Sequence, residues 1–222
     1  MGALGTLITS SACVRHPADG GTPGTKRLIF SFTMEDPINP NFVYIVAMRP
    51  SESENPIDQG PIPVVQPPWG NGFVAGNVTH FVRWDPAAAP AFQIYRMQSN
   101  LIDFFPIGTP VVVQDVRTGD RTMRFEVDLR QLASSDDEAN RFQSIQVNFF
   151  TMDTVPRTEA QSKIWDALGD GRNVADINSP ITIPLRTSGV YDNRRFGDLE
   201  PQGDVADPSL DIVNFSVEVR LF

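Results

Sequence analysis

The 222 residues carry 18 basic and 27 acidic side chains, a formal charge of −9, with 41% hydrophobic residues, 20% charged residues and one cysteine. That size and mixture fit one large β domain able to bury its core without disulfides or a structural metal, and they argue against wholesale disorder. Net acidity with only two lysines, Lys26 and Lys163, leaves no basic stretch to neutralise phosphates or lipid headgroups, so nucleic acid and direct headgroup binding are disfavoured.

Along the chain, Met1 to Cys13 is uncharged, built of apolar and small residues, and ends Ser11-Ala12-Cys13. This stretch resembles the tail of a bacterial lipoprotein signal peptide, although it lacks a basic start and has Ser10 where leucine is usual. The resemblance implies acylation of Cys13 and an extracytoplasmic location, in the periplasm or on the cell surface, with a lipid anchor. Being alone, Cys13 excludes an intrachain disulfide and a cysteine-rich zinc site. Residues 14–26 are rich in Gly, Pro and Thr with no apolar period, and read as a flexible leader between the anchor and a single β-sandwich domain over 27–222. No other stretch approaches the roughly 20 apolar residues needed to cross a bilayer as a helix.

Strand patterns then follow closely. Leu28–Thr33 and Phe42–Met48 flank a segment with Asp-Pro and Asn-Pro steps and read as a hairpin with a long loop. Phe42–Met48 is continuously apolar, as a strand covered on both faces would be. Thr79–Trp84 and Phe92–Met97 form two more strands, and Val111–Val116 and Thr122–Leu129 bracket the turn Arg117-Thr-Gly-Asp120. The alternation is clearest at Met123, Phe125, Val127 and Leu129, and again at Val213, Phe215, Val217, Val219 and Leu221. Ser144–Met152 and Ile181–Leu185 complete the set, which predicts an all-β fold, an antiparallel β-sandwich with one short helix and two long loops. The helix is expected from Thr158, the start of a capping-box sequence, to Gly169 at its C-terminal end, with a further helical turn within 130–141.

The loops at 49–72 and 186–210 are the candidates for function, because loops this long within a compact domain usually have work to do. The first holds six prolines and runs into Trp69-Gly-Asn-Gly-Phe73. A stiffened loop that ends in an aromatic turn suits reaching a partner, so Trp69, Asn71 and Phe73 are the expected partner-binding residues. Trp84 and Trp165 are expected in the core.

Chemistry is sparse. Only His16 and His80 are present, without a Gly-x-Ser-x-Gly elbow or a phosphate-binding loop of correct spacing, so no catalytic residue is expected. His80 reads as a hydrogen-bonded structural side chain. No cofactor and no metal site is called for by spacing. The nearest approach to an oxygen-rich calcium set is Asp198, Asp204 and Asp207 with Asp211 in the second loop, or Asp166, Asp170 and Asp176 beside Gly169 and Gly171.

The run from Gly119 to Leu132 resembles a strand-and-turn phrase of β-sandwiches of the family 9 carbohydrate-binding and DOMON type, which bind sugars or haem. The leading functional expectation is a non-catalytic binding or structural module, an accessory subunit docking on a membrane-associated protein assembly. A carbohydrate-binding module and a carboxylate-based hydrolase are the alternatives.

Overall fold

The computed structural model describes residues 25–173 and 179–222; Cys13, the leader before Thr25 and Asp176 lie outside the described residues. Fourteen strands follow one another: β1 Lys26–Met34, β2 Val43–Ser51, β3 Pro61–Pro63, β4 Val74–Gly76, β5 His80–Trp84, β6 Phe92–Met97, β7 Phe104–Gly108, β8 Val112–Val113, β9 Thr122–Asp128, β10 Ser144–Met152, β11 Trp165–Ala167, β12 Ile181–Pro184, β13 Gly189–Asp192 and β14 Ile212–Leu221. One sheet runs β13-β14-β1-β9-β8, the other β11-β10-β2-β5-β6-β7 with β12 also on β10, and β3 and β4 form a small separate pair. All pairings are antiparallel. The fold is an all-β sandwich.

The alternating strands bury the faces their patterns require. In β9, Met123, Phe125 and Val127 point into the core together with Leu129 just beyond the strand, and from β14 come Phe215, Val217 and Val219. Their rings pack against the other sheet: Phe149 of β10 sits 5.5 Å from Phe215 and 5.3 Å from Phe32. Val213 does not join them. Between Thr33 and Met34 the β1–β14 register shifts, so Asn214 and Ile212 are paired in succession and Val213 is the extra residue of a bulge. Ile212 takes the buried place instead, and Leu221 at the sheet's end stays exposed.

The large sheet is covered on both faces. Its inner face meets the small sheet, while Ile45, Ala47, Phe81 and Phe150 form a second apolar cluster on the outer face with Phe73, Val74 and Val78. This explains the unbroken apolar run of β2 and the complete burial of β10. The outer cover is the first long loop itself, with the β3–β4 pair lying over β10 and β2. Asn148 fastens it there by donating Nδ2–H to the Pro61 carbonyl at 3.1 Å.

Two expectations need correction. β1 and β2 are not a hairpin, since β1 pairs with β14 and β9 while β2 pairs with β5 and β10. The connection between them crosses from one sheet to the other, held by backbone bonds such as Asp36 N–H to the Pro208 carbonyl and Ile38 N–H to the Asp120 carbonyl. The helix expected from Thr158 to Gly169 is also absent. Gln161 turns back to accept from the N–H groups of Arg157 and Thr158, and Trp165–Ala167 pairs with Phe150–Met152 instead. Pairing with a fully buried neighbour outweighs a local helical preference of a few tenths of a kcal/mol per residue. The one α-helix among the described residues, α1, spans Asp136–Arg141 with Ser135 as its N-cap.

Candidate functional site

The aromatic turn of the first loop folds inward. Trp69 is 6% exposed and Phe73 is 2% exposed, so neither ring is presented to a partner. Trp69 lies under the Lys163 ammonium, 5.6 Å from its ring centre, and the same ammonium donates to the Gly72 carbonyl. Burial among these groups lowers the Lys163 pKa to about 8. Gly72 has φ +87°, and a Cβ there would come within 2.4 Å of Val155, so the turn requires glycine twice over. Asn71 accepts from the N–H groups of Phe73 and Val74 and donates to the carbonyls of Val74 and Leu101. The expected anchor residues thus brace their own fold.

What they brace is exposed. Phe73 packs at 5.3 Å against Phe104, the first residue of β7, and Asn71 holds the turn at Leu101. From there, Leu101, Ile102, Phe105, Ile107, Val111, Val112 and Val113 are all solvent-exposed, seven of the eleven exposed large hydrophobics among the described residues. They fall within thirteen consecutive residues, on β7 and β8 and the turns beside them. β7 pairs only with β6 and β8 only with β9, so each is the edge strand of its sheet. Next to β8, Trp84, Phe92, Pro86, Pro90, Pro110 and Val113 contribute to the walls of a cavity of about 460 Å³.

A second constellation is polar and enclosed. Asp166 of β11, Asp204 of the second long loop and Asp211 at the entry to β14 bring carboxylate oxygens within 4.8 Å of one another. Glu200 stands beside them and is 3% exposed; Asp166 and Asp211 are fully buried. Backbone N–H groups aim the carboxylates. Gly169 donates to Glu200 Oε2 at 3.1 Å, Gly171 to Asp204 Oδ2, Gly203 to Asp211 Oδ2 at 2.7 Å, and Ile212 to Asp166 Oδ2 at 2.7 Å. The remaining oxygens Glu200 Oε1, Asp204 Oδ1 and Asp211 Oδ1 are buried and have no hydrogen-bond partner among the described residues.

No arginine or lysine forms an ion pair with any of the four among the described residues; the nearby Arg172 is committed to Asp170 at 2.7 Å. Burial, and then the mutual repulsion of the acids, raise Asp166 and Glu200 far above the usual carboxylate range. Burial likewise lifts Asp211 to about 7, with the Asp204 and Glu35 carboxyls close enough to share a proton with it and the Gly203 N–H opposing the rise.

No family model, curated protein or solved structure matches this chain.

The two acidic groups picked out in the sequence each contribute in part. Asp166 comes from one and Asp204 and Asp211 from the other, while Asp198 is an exposed turn residue at φ +55° and Asp207 caps the Ser209 N–H at 2.9 Å. Asp170 is held by Arg172. Glu200 was not among the expected ligands. His80 is buried and hydrogen-bonded, as its strand pattern implies: Arg96 Nε donates to its Nε2 at 3.1 Å and Thr79 Oγ1 lies 2.9 Å from its Nδ1.

Proposed function

We propose that this chain is a non-catalytic binding module that docks on another protein through the apolar edge formed by residues 101–113. The observation that supports this reading is the concentration of exposed hydrophobic side chains within residues 101–113, on and beside β7 and β8, the consecutive edge strands of the two sheets. A run of exposed apolar side chains of this kind costs solubility unless something covers it, and large exposed apolar surfaces mark interaction sites. Pro106 within β7 removes one edge donor, which discourages indiscriminate strand addition. Docking is therefore by side chains, with the cavity between Trp84 and Val113 receiving an apolar anchor from the partner.

The partner is a protein presenting apolar side chains, and the acylation proposed for Cys13 would place both at a membrane outside the cytoplasm. A carbohydrate-binding role is less well supported, because Trp69 is covered and offers no stacking face. A carboxylate-based hydrolase needs acids that reach a substrate, whereas Asp166, Glu200 and Asp211 are sealed in and held by backbone bonds.

The test is a pair of charge insertions, Phe105→Glu and Val112→Glu. Both side chains are about half exposed, at 44% and 51%, so the fold should tolerate the changes, while co-purification of the partner from detergent-solubilised membranes should fall by at least about tenfold. Unchanged recovery of the partner with both variants would overturn the reading.

A further inference from the structure

We infer that Asp166, Asp204 and Asp211, with Glu200 beside them, form a calcium site that clasps the two sheets together. The oxygens of the three aspartates lie within 4.8 Å of one another, the greatest separation two ligands can have across a cation bound at about 2.4 Å. Asp211 Oδ1 and Glu200 Oε1 belong to side chains at least nine-tenths buried, and both lack a partner among the described residues. A buried carboxylate oxygen without a donor is costly, and three of them in one acidic cluster, with no ion pair to a cationic side chain among the described residues, favour a bound positive charge.

The pattern of the other oxygens supports this. Glu200, Asp204 and Asp211 each give one oxygen to a backbone N–H, from Gly169, Gly171 and Gly203, and keep the other buried without a partner among the described residues.

The donor set selects the ion. It contains carboxylates only, with neither histidine nor cysteine, so softer transition metals are poorly served. Magnesium holds ligands at about 2.0–2.1 Å in strict octahedral geometry and keeps its waters, whereas calcium accepts a wider and irregular oxygen shell. Asp204 is only half-buried and gives the ion its way in.

Location supplies the consequence. Asp166 is on β11 of the large sheet and Asp211 immediately precedes β14 of the small one, with Asp204 on the loop between β13 and β14. The ion therefore fastens the acidic loop across one end of the sandwich, independently of the docking edge.

The experiment is calorimetric titration of the chelator-treated full chain with calcium chloride, and in parallel with magnesium chloride, together with thermal unfolding in each. One calcium per chain is expected, bound at least about tenfold more tightly than magnesium, with a rise in Tm of about 5 °C or more at millimolar calcium. Asp211→Asn and Glu200→Gln should each weaken calcium binding at least about tenfold while their Tm in chelator stays at or above that of the parent chain, because like charges have been removed. Asp198→Asn should bind as the parent does. Absence of both heat and Tm shift in the parent chain would overturn the assignment. So would an undiminished calcium response in both Asp211→Asn and Glu200→Gln.

Discussion

Asp166 Oδ2 accepts the backbone N–H of Ile212 at 2.7 Å, joining the middle residue of β11 to the first residue of β14 across 46 positions of chain. That bond links a strand of the large sheet to a strand of the small one, and two further side chains of the large sheet hold the same region. Tyr44 donates its hydroxyl to the Ser209 carbonyl at 3.0 Å, and Thr151 donates to that of Leu210 at 2.5 Å. The acidic loop is thus seated on the sandwich by neutral bonds, and its carboxylates are set in fixed positions at the end where the sheets meet.

The inner core depends on aromatic packing between sheets. Phe125→Ala and Phe215→Ala should each lower unfolding free energy by about 3–5 kcal/mol, since both rings are 1–2% exposed and a cavity would remain. Urea denaturation measures it; a loss below about 1 kcal/mol at both positions contradicts the packing described.

Trp69→Ala should act on stability. Its ring belongs to the covered turn with Lys163 and Gly72, so truncation should cost about 2–4 kcal/mol and leave partner docking intact once the protein is folded. Paired denaturation and binding measurements separate the two effects. Weakened docking at unchanged stability would restore the role expected from its sequence position.

His80 predicts an acid limb of instability. Burial and the neighbouring Arg96 guanidinium push its pKa down to about 3, with Glu138 pulling weakly upward. A folded pKa below the unfolded value near 6.5 means that the unfolded chain binds more protons, so this stability is complete above about pH 6.5 and is lost as pH falls toward 3. NMR should show the His80 ring still neutral at pH 5. His80→Gln should flatten the decline between those limits, and a ring that titrates near 6.5 in the native protein contradicts the account.

Much of the sandwich could be read in advance where one face is dry and the other wet. Phe125 and Val127, or Phe215 and Val217, announce their orientation through period-two alternation alone. Residues 164–168 could not be read that way, because Ile164, Trp165 and Leu168 fit a helical face as well as a short strand, and only the presence of β10 decides. The carboxylate cluster was half legible. Asp166, inside an otherwise apolar Trp-Asp-Ala-Leu run, and Asp211, directly before the apolar start of β14, are acids in places where acids are costly. Their meeting depends on the pairing of distant strands, which neither local segment encodes. The exposed edge at 101–113 was invisible, since the same valines and isoleucines would look identical in a buried strand.

The Ser-Ala-Cys ending of residues 1–13 is the basis for proposing acylation at Cys13. Intact-mass spectrometry of protein from its native host should find a chain starting at Cys13 with acyl mass added. An unmodified Cys13 in that material contradicts the anchor.

The central claim is that residues 101–113 meet a partner protein. A photo-reactive amino acid placed at position 112, with a matched one at position 190 on the exposed face of β13, tests it inside the native host. The account predicts one discrete cross-linked protein from position 112 and none of that species from position 190, where Val190 is equally exposed at 51% but isolated from the other apolar side chains in sequence. Identical products from both positions, or no cross-link from position 112, would contradict it.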